Sequence, residues 1–127
     1  MGYTHYWDHV EVNDQQWREF TDKVKSIYKL NRLTDPAIIQ FEDDDSRPPV
    51  ADQDLVRFNG IDDDGHETFL IDKSGASRAF CKTAQKPYDA FVVAVLHAAA
   101  DIITGFTWSS DGDHQDHAMG KKLWKLS

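Results

Sequence analysis

Pro87-Tyr88-Asp89-Ala90-Phe91-Val92-Val93-Ala94-Val95-Leu96-His97-Ala98-Ala99-Ala100-Asp101-Ile102-Ile103 is a helical pattern with almost no polar face. A helix that is apolar nearly all round is buried on several sides. Pro87 suits the first helical position, where a missing N–H costs nothing, and Asp89 can accept bonds from the free N–H groups of the first turn. Gly105 ends the pattern. At 127 residues the chain has room for one core, so residues 1–127 are expected to form a single domain around this helix.

Working outward, strand patterns dominate. Residues 3–12 mix aromatic and β-branched residues with polar ones and predict a first strand. Asn13 and Gln16 have the spacing of a capping box. Behind them Trp17, Phe20, Val24, Ile27 and Tyr28 recur at helical spacing, which predicts an amphipathic helix over about 14–30. Asp35-Pro36 breaks that pattern, and 37–41 reads as a short strand. Glu42 to Pro49 reads as a loop, because adjacent acids repel and paired prolines cannot continue a ladder. Strands are then predicted over 55–61, 66–72 and 78–83, with turns at Asp62-Asp63-Asp64-Gly65 and Ser74-Gly75. A last strand over 106–109 and a terminal helix over 115–126 complete the chain. Strands this close in sequence form an antiparallel meander. The expected fold class is α+β, two layers, with the amphipathic and the buried helix covering one face of a mainly antiparallel sheet.

Alternation fixes which side chains share the uncovered face. Val56, Phe58, Phe69 and Ile71 suit the core, which turns Arg57, Asn59, His66 and Thr68 outward. In the strand over 78–83, small Ala79, Cys81 and Thr83 suit close helix packing, and Arg78, Phe80 and Lys82 share the outer side. Between Asp72 and Asp89 there are four cations, Lys73, Arg78, Lys82 and Lys86, and no carboxylate. On a chain of net charge −8, such an island running into a helix N-terminus is a place for a small anion. An aromatic ring between cations is a place for a base to stack while phosphate is neutralised. The candidate ligand-binding set is therefore Arg57, Asn59, His66, Thr68, Arg78, Phe80, Lys82, Lys86 and Tyr88, with Phe80 or Tyr88 as the stacking ring. Against it stands the ordinary rule that antiparallel sheets face water with polar side chains on one side.

The acidic balance argues against duplex nucleic acid as a partner. No apolar run approaches the roughly 20 residues that cross a bilayer, and the first residues lack a basic segment followed by an apolar one. A cytoplasmic location is the default. The lone Cys81 rules out an internal disulfide and a cysteine-cluster zinc site. Flanking cations favour a thiolate there, but a buried structural cysteine is the commoner outcome. His66 and Glu67, as strand neighbours, point to opposite faces. Asp111, Asp113, His114 and His117 are chemically competent for a divalent ion, although solvated surface residues are the ordinary reading. His97, on the apolar helix, reads as a hydrogen-bonded core histidine. No dinucleotide fingerprint, phosphate loop or nucleophile elbow occurs, and no cofactor is expected.

Gly2-Tyr3-Thr4-His5-Tyr6-Trp7, Phe58-Asn59-Gly60, His66-Glu67-Thr68-Phe69, Phe80-Cys81-Lys82-Thr83-Ala84, Lys86-Pro87-Tyr88-Asp89 and Ser110-Asp111-Gly112 together resemble a group of small uncharacterised bacterial and bacteriophage proteins. The resemblance carries no activity and assigns no catalytic residue. It implies a small protein of the cytoplasm, the host's where phage-encoded, in a setting where small proteins sequester nucleotide signals. The expectation that results is a non-catalytic binding protein for a small anionic ligand, a nucleotide being the leading candidate. The alternatives are a hydrolase or transferase using His66, Cys81 or Asp111, and a protein–protein module or homo-oligomer that buries the aromatic N-terminal strand.

Overall fold

The structure, a computed structural model, describes residues 3–34, 50–60, 66–75, 79–84, 86, 88–112 and 114–127. In chain order the elements are β1 (Thr4–Asp8), α1 (Asp14–Thr34), β2 (Val50–Ala51), β3 (Leu55–Phe58), β4 (Phe69–Asp72), β5 (Phe80–Lys82), α2 (Asp89–Ile102), β6 (Thr107–Ser110) and α3 (His114–Leu126). The fold is α+β, with three helices packed against antiparallel sheets. The strand expected over 37–41, the acidic loop after it and the Asp62 to Gly65 turn lie outside the described residues.

The strands do not form one meander. β2, β3 and β4 pair in sequence order, whereas β5 leaves its neighbour β4 and pairs with β1, giving a second sheet ordered β5-β1-β6. Burial explains the switch. Cys81 on β5, His5 and Trp7 on β1 all turn inward, and pairing these strands places the three against the same helix layer. The two sheets still touch: the Glu67 N–H donates to the Lys82 carbonyl at 3.2 Å, just before β4 begins. Both inner faces share one core, in which Trp7 of the first sheet lies 5.0 Å from Phe69 of the second, ring centre to ring centre. Phe58 stacks on Phe69 and meets Phe91 of α2 edge-on.

α1 begins where Asn13 Oδ1 accepts the Gln16 N–H at 2.8 Å, a cap worth about 1 kcal/mol. The expected capping box is only half made. Gln16 turns its side chain to Thr104 instead, donating to Thr104 Oγ1 and accepting the Thr104 N–H, and so ties the start of α1 to the end of α2. Trp17, Phe20, Val24 and Ile27 are the buried stripe of α1. In α2 Phe91 through Leu96, Ala98 and Ala99 are all buried, as its composition requires. α3 crosses α2 closely at Gly120, where a Cβ would stand 2.5 Å from the Val93 Cβ. No helix among the described residues is long and apolar enough to cross a membrane.

Candidate functional site on the outer face of the β5-β1-β6 sheet

Register places the outward side chains of the β5-β1-β6 sheet in rows. Tyr6 on the central strand pairs with Phe80 on one side and Ser109 on the other, and Thr4 pairs with Lys82. Asp8 pairs with Thr107 at the far end. Tyr6 is 45% exposed and Phe80 39% exposed, while the residues alternating with them, His5, Trp7 and Cys81, are buried. Two aromatic rings therefore stand side by side on a solvent face, with the exposed Lys82 two residues along β5 and the hydroxyl of Ser109 across β1. Opposite residues in an antiparallel pair have Cβ atoms about 5 Å apart, close enough to act as one surface. Carboxylates border this surface. Asp8 lies in the end row, and Glu67 Oε1 accepts the Lys82 backbone N–H at 3.1 Å. Asp111 closes the other end, its carboxylate accepting the Thr4 N–H at 3.0 Å.

Sequence alternation assembled a wider set, and the structure divides it. Arg57 is half-buried on β3, in the other sheet, so it does not share a strand layer with Phe80. Asn59, expected outward, is buried at 8% exposure. Its Oδ1 accepts the N–H groups of Gly60 and His66, and its Nδ2 donates to the His66 carbonyl and to Thr68 Oγ1. An amide has four hydrogen-bonding positions, and these four bonds leave none to read a ligand. Thr68 is half-buried against that amide, and His66 is exposed. Arg78 lies outside the described residues. Phe80 and Lys82 face outward as alternation requires, and Lys86 is half-buried in the turn before α2.

Tyr88 cannot be the stacking ring, because it is fully buried. Its hydroxyl donates to the Glu67 carbonyl at 2.6 Å. Burial, and then the neighbouring Cys81, Glu67 and Asp89, hold the phenol far above its ordinary pKa. Cys81 is buried too, and its Sγ donates to the same Glu67 carbonyl at 3.3 Å. A thiol enclosed in this way does not meet a substrate, which removes the cysteine from the nucleophilic alternative. Asp111 spends its carboxylate on the β1 backbone.

One constellation was missed. His5 Nε2 lies 2.6 Å from Asp89 Oδ1, and Thr83 Oγ1 donates to the same oxygen at 2.5 Å. His5 and Thr83 are fully buried, and the carboxylate sits in the first turn of α2, where the helix dipole favours negative charge. Around it the rings of Tyr3, Trp108 and His117 approach His5 at 5.2, 6.2 and 5.8 Å. His117 Nε2 in turn meets Ser110 Oγ at 3.1 Å. Strand parity does place His5 beside Trp7 on the inner face, but nothing in the sequence pairs it with a residue 84 positions away. Among the described residues no group of three or more His, Cys, Asp and Glu side chains is placed to hold an ion, and Asp113 of the four residues weighed for a divalent ion lies outside them. No protein-family model, curated protein or solved structure matches the chain.

Proposed function

We propose that this protein binds a small anionic ligand with a flat aromatic part, a mononucleotide being the best fit, on the outer face of the β5-β1-β6 sheet. The observation that carries the reading is the exposed Tyr6–Phe80 pair beside Lys82. A base laid on these rings gains roughly 1–3 kcal/mol by stacking. Lys82 and Lys86 supply positive charge for the phosphate, and Ser109 offers a hydroxyl to a polar edge. The reading is of binding without chemistry, supported by Cys81 being buried on the inner side of the sheet, away from the exposed rings. Sequestration of a nucleotide signal is one use of such a face, and it is compatible with the setting that the resemblance implies.

The test is titration with purine nucleoside monophosphates and cyclic dinucleotides, followed by calorimetry and by mass analysis of the recovered ligand. Tyr6→Ala and Phe80→Ala are each expected to weaken binding at least tenfold while the chain still folds cooperatively, because neither ring belongs to the buried core. A ligand recovered chemically altered would favour catalysis. Self-association that Tyr6→Ala abolishes, with no nucleotide bound by the wild-type chain, would show that the rings serve a protein interface instead.

A further inference from the structure

We propose that α3 is an acid-releasable clamp, held to the body of the protein by a cluster of imidazole and indole rings in which His97 is the group that takes up the proton. Four elements contribute. His97 of α2 stacks on Trp124 of α3 with ring centres 5.1 Å apart and planes 10° from parallel. The same imidazole meets Trp108 of β6 edge-on at 5.1 Å. Trp108 lies 5.3 Å from His117 of α3, and His117 lies 5.8 Å from His5 of β1. Among the described residues, the ring contacts that hold α3 to the strands and to α2 therefore each include an imidazole.

His97 Nε2 is buried and has no hydrogen-bond partner among the described residues. In the neutral ring this nitrogen can remain a bare acceptor; in the imidazolium it becomes a charged donor with nothing to receive it. The charges facing it are also of the wrong sign. Lys121, Lys125 and His117 approach from α3. Trp108 of β6 is neutral, and Lys23 of α1 bonds the Ser127 carbonyl beyond the end of α3. On α2 itself the nearest acid along the helix is Asp101, one turn on and exposed. The indole faces attract a cation, yet the net effect, led by burial and then by Lys121, is to hold His97 below its ordinary pKa.

The sign follows. A histidine whose pKa is lowered in the closed state binds fewer protons there than when α3 is off. The closed state is therefore fully favoured above about pH 6.5, and that advantage is lost as pH falls through the lowered value. Release of α3 lets His97 and His117 reach water, moves the two exposed lysines away from His97, and uncovers the inner side of β6 at Trp108 and Ser110.

The experiment is hydrogen exchange of the full chain at pH 7.5 and 5.5, corrected for intrinsic exchange rates, with α2 amides as the internal reference. In the wild-type protein α3 amides are expected to lose protection relative to α2 on acidification, by up to about tenfold, the protonated-to-neutral ratio at pH 5.5 of a released histidine at its ordinary value of 6.5. His97→Phe keeps a ring between Trp108 and Trp124 but does not titrate, and it should abolish that loss. Lys121→Gln with Lys125→Gln, two exposed changes that do not threaten folding, should reduce it. Equal relative protection of α3 at both pH values would overturn the proposal. So would a loss that persists in His97→Phe or is unchanged in the double lysine variant.

Discussion

Asp89→Ala tests whether the buried polar centre of the molecule stabilises the fold. In the structure a single carboxylate oxygen accepts from Thr83 Oγ1 at 2.5 Å and from His5 Nε2 at 2.6 Å, and both partners are fully buried. Alanine leaves two donors without an acceptor in a place water does not reach. Each stranded donor costs about 1–3 kcal/mol. Loss of the negative charge from the first turn of α2 adds about 0.3–1 kcal/mol. Breaking a buried pair by removing one partner typically costs 3–5 kcal/mol, so the two routes agree on a loss of about 4 kcal/mol. A chain of this size loses about 3–6 °C of melting temperature per kcal/mol, which puts the fall at about 12–24 °C. Urea unfolding followed by tryptophan fluorescence would measure the loss directly, provided the transition keeps its slope. Asp89→Asn, which keeps an acceptor oxygen but no charge, should lose roughly half as much. A loss below about 1 kcal/mol in Asp89→Ala would refute the reasoning, since it would mean the two donors find other partners at no cost.

Two further outcomes follow from the same packing. Cys81, being buried on the inner side of β5 against Tyr88 and the Glu67 carbonyl, should resist iodoacetamide in the native protein and react fully in denaturant, which intact-mass measurement resolves; rapid native labelling would contradict that inward packing. Gly120→Ala should destabilise by about 1–2 kcal/mol although alanine is the better helix former by about 1 kcal/mol, because its Cβ would stand 2.7 Å from the Ala90 carbonyl oxygen as well as against Val93. A stabilised Gly120→Ala variant would mean that α3 does not cross α2 so closely.

Local periodicity was legible and partnership was not. The stripe of α1, the all-round burial of α2 and the inward Val56, Phe58, Phe69 and Ile71 were each readable, because burial follows spacing within one element. The pairing of β5 with β1 was not. That choice depends on contacts across more than seventy residues, and the short link between β4 and β5 makes a meander look equally good on paper. The error had a consequence for the site. Drawing Arg57, Asn59 and Thr68 onto one surface with Phe80 assumed one sheet, whereas the real neighbour of Phe80 is Tyr6. Tyr88 was misjudged for a different reason. Tyrosine is amphipathic, and its hydroxyl found the Glu67 carbonyl, which allows full burial at a helix start where alternation gives no guidance. Asn59 shows the same physics, since its four bonds satisfy an amide that would otherwise have to face water.

The borders of the aromatic face also limit what it can hold. A single strand of nucleic acid gains affinity by laying successive phosphates along a positive track. Among the described residues Lys82 is the cation that the register places beside the rings, and the surface is bordered by Glu67 on one side and by Asp8 and Asp111 along the strand direction. The next phosphate of a longer chain would meet a carboxylate, on a molecule whose net charge is already −8. A ligand with one base and its own phosphates meets none of that repulsion. Oligonucleotides of increasing length should therefore bind no more tightly than the mononucleotide, and raising the salt concentration should weaken binding only slightly. Affinity that climbs with each added nucleotide would place the phosphates on a path the carboxylates do not block, and would overturn the assignment of the face to a single nucleotide.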